Sequence, residues 1–129
     1  MSLKAFVVLS HRLMAEQEKE LRETWGVGEL VKLPGDLEAL WGSVPPGEDS
    51  VGGFLEPVTR WLEERSSPGD VAFIQGEFGS VYWMVGEALR MGLVPVHSTT
   101  RRVLEEEARE DGVYQRRVFS HVRFRVYGR

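Results

Sequence analysis

The chain has 129 residues, 42% hydrophobic and 28% charged, with a formal net charge of −4. That is enough chain for one domain with a core and too apolar a composition for a disordered one. The acidic balance excludes a coat for long nucleic acid, and the absence of cysteine excludes disulfides and thiolate metal sites.

No apolar run reaches the length of a membrane span and no signal-peptide pattern opens the chain, so a cytoplasmic protein without a membrane partner is expected. Charge is unevenly placed. Residues 1–96 carry 8 basic and 15 acidic side chains, whereas residues 97–129 carry 8 arginines and 5 acidic side chains. An arginine-rich C-terminal third suits a small anionic ligand; a solvated hairpin of mixed charge is the plainer reading.

In chain order, Ala5–Leu9 is a short apolar run, expected to be a buried first strand ending at Ser10-His11-Arg12. Met14 to Trp25 has the spacing of a helix, with Leu13, Leu21 and Trp25 on one stripe and Gly26 and Gly28 closing it. Leu30–Leu33 reads as the second strand. Asp36 is placed to cap a short helix through Trp41. Residues 43–53 form a loop too short to be a domain linker. Phe54 to Arg65 reads as a helix with Pro57 in its first turn.

Val71–Ile74 is the third strand. Gln75-Gly76-Glu77-Phe78-Gly79 turns, and a helix is expected from Ser80, burying Val81, Met84, Val85, Ala88 and Leu89 and ending at Gly92. Leu93–His97 is the fourth strand. Its Pro95 places it near an edge or at a bulge. Beyond Ser98–Arg102, Asp111-Gly112 reads as the turn of a hairpin with arms Arg102–Glu110 and Val113–Val126, although the first arm has high helix propensity.

Alternating strands and helices imply an open, mainly parallel sheet flanked by helices, with a C-terminal β-hairpin, in a single domain over residues 1–129. With the first strand central, three strand ends converge on the edge where such sheets bind ligands. They are Ser10-His11-Arg12, Gln75–Ser80 and Ser98-Thr99-Thr100-Arg101-Arg102. No metal-ligand spacing, Walker loop or dinucleotide fingerprint is present, and no Ser-His-Asp triad can be assembled with confidence. What remains are phosphate-binding donors: backbone amides at a helix N-terminus, hydroxyls, Gln75 and arginines. Phe78 and Tyr82 are candidates to stack on a base, Glu77 to accept a base amino or ribose hydroxyl, and His11 to move a proton. Each also has a plain structural reading as packing residue, solvated turn carboxylate or loop histidine.

Several segments resemble the small Csx-type CRISPR-associated proteins of type III systems. They are Phe6–His11, Val44-Pro45-Pro46, Gln75–Gly79, Pro95–Arg102 and His121–Arg125. The resemblance spans almost the whole chain, and the glycine turn and Thr99-Thr100-Arg101 are its most specific parts. It implies a Rossmann-like domain of the CARF type, homodimeric, that binds a cyclic oligoadenylate second messenger. It also implies a ring nuclease that cuts the messenger without a metal or cofactor, or alternatively a sponge that only binds it. The resemblance carries over no settled catalytic set; from their chemistry the catalytic candidates are His11 for proton transfer and Arg101 or Arg12 for the phosphate. Ser10, Gln75, Gly76, Glu77, Phe78, Gly79, Ser80, Ser98, Thr99, Thr100 and Arg102 are the ligand-binding ones.

Overall fold

Residues 5–9 carry no polar side chain, and all five are buried, as a strand covered on both faces requires. The computed structural model describes residues 2–129. Along the chain lie β1 (Leu3–Val8), α1 (Ala15–Glu23), β2 (Val27–Lys32), α2 (Gly35–Trp41), α3 (Glu56–Arg65), β3 (Val71–Ile74), α4 (Phe78–Arg90), β4 (Val94–Arg109) and β5 (Gly112–Val126). The sheet runs β2-β1-β3-β4-β5, parallel except for the β4–β5 pair. β1 lies inside the sheet between β2 and β3, and β3 is the middle strand.

Alternation along the strands sorts the core into two layers. Ala5, Val7, Val71, Phe73, Val96 and Phe124 meet Leu21 of α1 on one face. Phe6, Val8, Ala72 and Ile74 meet Trp41, Val58, Trp61, Leu62, Met84 and Ala88 of α2, α3 and α4 on the other. The Phe73 and Phe124 rings meet edge to face at 4.7 Å, which locks β5 onto the body across β4.

Several expectations are corrected. The fourth strand and the first hairpin arm are one continuous strand, β4, of 16 residues; cross-strand pairing with β5 overrides the helix propensity of Arg101–Glu110. The strand lies one in from the edge, but its irregularity falls between Thr99 and Thr100 rather than at Pro95. The Pro95 carbonyl still accepts from Tyr127 N–H at 2.9 Å. Gly112 pairs with Arg109, so the tip of the turn is Glu110-Asp111.

Helix α2 begins at Gly35 after Pro34, and Asp36 sits in its first turn without a side-chain cap bond. Gly28 lies inside β2, and Gly26 alone closes α1, at φ +73°. Leu89 is exposed rather than buried, and Ser80 takes a place in the core instead. Among the described residues, no helix is long and apolar enough to cross a membrane.

Candidate functional site

The ends of β1 and β3 lie side by side. Val8 is in register with Ile74, and Gln75 N–H donates to the Val8 carbonyl at 3.2 Å. From there the chain leaves β1 toward α1 on one face and leaves β3 toward α4 on the other. This opposite departure creates the crevice where open α/β sheets take ligands. Ser10 and His11 follow β1 at this edge, and Ser10 lies against α2, lining a groove with Gly35, Glu38, Ala39 and Gly42. His11 is exposed, its Nδ1 3.3 Å from the Arg12 carbonyl.

The floor of this edge is built by aromatic donors. Trp41 Nε1–H donates to the Gln75 carbonyl at 2.9 Å, and Tyr127 O–H donates to the Ile74 carbonyl at 2.6 Å. The Tyr127 ring rests against His97 at 4.7 Å, and burial raises its hydroxyl pKa above the ordinary value. Gly76 is required by close approach, because a Cβ there would stand 2.8 Å from Trp41 Nε1. Two side-chain oxygens at this edge, Gln75 Oε1 and Thr99 Oγ1, are buried and have no hydrogen-bond partner among the described residues.

Helix α4 starts at Phe78 rather than Ser80, because Glu77 caps it. The Glu77 carboxylate accepts from Gly79 N–H at 2.8 Å, Ser80 N–H at 3.0 Å and Ser80 O–H at 2.8 Å. The bonds from Gly79 and Ser80 hold its pKa below the ordinary carboxylate value. The helix terminus therefore carries its own anion. A ligand phosphate reaches the Gly79 and Ser80 amides only when Glu77 swings out. Phe78 and Tyr82, one turn apart, are 93% and 86% exposed, so both ring faces are open to stacking.

Beyond His97, β4 climbs past the end of β3 and carries Ser98, Thr99 and Thr100 along the edge. Arg101 and Arg102 follow on the projecting ribbon, on opposite faces, paired with Ser120 and Phe119. The Arg102 guanidinium lies 5.5 Å from the centre of the Phe119 ring. Only one of the two arginines therefore faces any one ligand. Arg12 turns away from both and lines a groove with Leu13, Met14, Glu16 and Lys32 on the β2 side.

A further cluster lies on the α1 face. Ser98 Oγ is 2.5 Å from His121 Nδ1, and His121 Nε2 is 2.7 Å from Glu20 Oε1. Glu20 also accepts from Phe124 N–H at 2.9 Å and from Trp25 Nε1–H at 2.9 Å. Burial pushes its pKa up, but the bonds from Phe124, Trp25 and His121 together outweigh that and leave it lowered. In the neutral ring, Nε2–H donates to the carboxylate and Nδ1 accepts the Ser98 hydroxyl. The order hydroxyl, imidazole, carboxylate is that of a hydrolytic triad. Yet the His121 side chain is only 2% exposed, and Glu20 is engaged in holding β5 where the ladder slips a register. The cluster positions Ser98 and joins α1 to β5. It was invisible in the sequence, because Glu20 and His121 are separated by 101 positions. Glu20, Trp41 and Tyr127 carry no motif.

A family model described as the uncharacterized protein MJ1673 family matches residues 3–125. The chain belongs to the MJ1673 family. The curated relative from Methanocaldococcus jannaschii, uncharacterized protein MJ1673, is 36% identical over 124 residues, covering 96% of each chain. No solved structure matches this MJ1673-family chain. Among its described residues, no three His, Asp or Glu side chains are grouped as a metal site requires.

Proposed function

We propose that this MJ1673-family chain binds a cyclic oligoadenylate, with cyclic tetra-adenylate the expected ring, at the crevice between the β1 and β3 ends, and cleaves it. On this reading the α/β sheet is a Rossmann-like domain of the CARF type, working as a homodimer in type III CRISPR defence. The observation that carries the reading is the pair of unpartnered buried oxygens, Gln75 Oε1 just past the end of β3 and Thr99 Oγ1 where the β4 ladder shifts register. Both accept hydrogen bonds, and an adenine amino group or a ribose hydroxyl supplies the donor they lack. The exposed ring of Phe78 supports it, since an exposed aromatic three residues beyond Gln75 suits a base.

The chemistry is a transesterification. A ribose 2′-oxygen attacks the adjacent phosphorus and the P–O5′ bond breaks, giving a linear product with a 2′,3′-cyclic phosphate. His11 takes the 2′-hydroxyl proton, and a proton returns to the leaving 5′-oxygen. Arg101 stabilises charge on the phosphoryl oxygens from the ribbon, and Ser10 and the Gly76 amide orient the neighbouring phosphate. Arg12, turned toward Lys32, is assigned no part in the step.

Incubating the protein with cyclic oligoadenylates of different ring size, with and without EDTA, tests the reading. Linear products ending in 2′,3′-cyclic phosphate, undiminished by EDTA, are expected, with His11→Ala and Arg101→Ala each slowing their appearance. Tight retention of intact ring would make the protein a sponge instead. No binding of any ring would overturn the reading altogether.

A further inference from the structure

The β4–β5 ladder outruns the domain. From Arg101↔Ser120 to Arg109↔Gly112 its pairs rest on no helix and no third strand, and none of the side chains from Thr100 to Arg117 is buried. A two-stranded ribbon alone in water is marginally stable. This one also exposes apolar side chains: Leu104 at 59%, Phe119 at 57% and Val113 at 67%.

Register assigns those three to one face. Directly paired residues share a face and alternate residues return to it, so Arg102/Phe119, Leu104/Arg117, Glu106/Gln115 and Ala108/Val113 lie together from stem to tip. The other face carries Val103/Val118, Glu105/Arg116 and Glu107/Tyr114. It is more self-contained, with Arg116 bonded to Glu105 at 2.8 Å and the Arg109 guanidinium over the Tyr114 ring at 4.5 Å.

Charge names the occupant of the open face. From residue 100 to residue 120 the ribbon holds Arg101, Arg102, Arg109, Arg116 and Arg117 against Glu105, Glu106, Glu107, Glu110 and Asp111. The two sets balance, which does not fit a nucleic-acid arm. They are also unevenly placed: Arg101, Arg102 and Arg117 lie toward the stem, Glu106, Glu107, Glu110 and Asp111 lie toward the tip with Arg109, and the paired Arg116 and Glu105 lie between. On the open face itself Arg102 and Arg117 stand toward the stem and Glu106 toward the tip, among the apolar Phe119, Leu104, Ala108 and Val113, and a face charged in that way is complementary to itself when reversed.

We propose that two copies of this chain pair through the ribbon face bearing Leu104, Val113 and Phe119, laid antiparallel about a two-fold axis, tip over stem. Centred near the Glu105↔Arg116 pair, this arrangement brings Arg117 to the level of the partner's Glu106. It likewise brings Phe119 and Arg102 to the level of the partner's Ala108 and Val113. Each ribbon then gains the second layer that it lacks. The surface follows from the ribbon alone and stands whether or not the protein cleaves a cyclic nucleotide.

The test is solution mass by light scattering on the full-length protein, with far-UV circular dichroism confirming that each variant is folded. The wild type is expected to run as a dimer at micromolar concentration, and Leu104→Glu to halve the mass. Glu106→Arg and Arg117→Glu each place like charges across the axis and are expected to give monomers. Mixed in equal amounts they restore the dimer. The mixed pair sets the introduced arginine of one variant against the introduced glutamate of the other, and it retains one native Arg117–Glu106 contact. A monomeric wild type, a dimeric Leu104→Glu or a mixture that stays monomeric would overturn the proposal. None of these measurements depends on ring cleavage, so a failed cleavage assay leaves them intact.

Discussion

Strand β4 passes through two environments, and the change falls at Thr99. Its inner half, with Val96 fully buried, lies between β3 and β5 in the body of the sheet. Its outer half, from Thr100 to Arg109, is exposed at every position. Ladder hydrogen bonds are the same kind of bond in both halves. What differs is the side-chain surface removed from water, and that term decides which half holds the protein together. The candidate site sits at the junction, where a rigid edge passes into a free ribbon. Ser98 is held by His121, while Arg101 is carried outward on the ribbon.

The comparison is broken most directly by truncating one aromatic ring in each half. Phe124→Ala removes a fully buried ring that packs on Phe73 and is expected to cost about 3–5 kcal/mol in urea unfolding. Phe119→Ala, at 57% exposure, is expected to change the unfolding of the isolated chain by no more than about 0.5 kcal/mol. Equal losses would mean that the ribbon is part of the folding core. Dilute protein must be used, so that association does not contribute.

The two halves also differ in how far they were legible before folding. Ala5–Leu9 and Val71–Ile74 announced themselves as strands because burial on both faces leaves only apolar residues. The topology followed from their alternation with helices. The outer half of β4 carried no such mark and was legible as a hairpin arm only through the Asp111-Gly112 turn beside it. Exposed on both faces, Arg101–Glu110 was free to collect helix formers, and no alternation of polarity was imposed on it. At the site, the glycine turn was legible as a turn, but its anion was misplaced. Glu77, read as a solvated carboxylate or a ligand contact, is itself the helix cap. Arg101, a catalytic candidate, and Arg102, a ligand-binding one, were expected at one site, and the pleat puts them on opposite faces.

Glu20 tests how the junction is held. Its carboxylate accepts from His121, Phe124 N–H and Trp25, so Glu20→Ala leaves partly buried donors unpaired and is expected to cost about 1–3 kcal/mol. Amide exchange should quicken at Phe124 and its neighbours in β5 before it changes in β1 or β3. Uniform acceleration across the sheet would show that the contact does not act locally.

Thr99→Val separates stability from binding at the same edge. The hydroxyl oxygen has no partner to lose, so thermal stability is expected to stay within about 1 kcal/mol of wild type. Binding of a cyclic oligoadenylate, followed by calorimetry, is expected to weaken. If stability falls as it does for Glu20→Ala, the oxygen has a structural partner and the reading of that edge loses its support.

The smallest effect belongs to Glu77. Its pKa is lowered by bonds from Gly79 and Ser80, so folding favours the ionised form. The stability this gives is fully present above the ordinary glutamate value of 4.5 and is lost as pH falls through the lower folded value. Glu20 follows the same sign. Glu77→Gln keeps an oxygen acceptor at the cap but removes the titration, so its thermal midpoint should decline less steeply on acidification below that value. Glu77 is exposed and screened by solvent and salt, so the flattening should be slight, and weaker than for Glu20→Gln. A larger change from Glu77→Gln than from Glu20→Gln would place the pH-sensitive anchor at the α4 terminus instead of at the junction of α1 and β5.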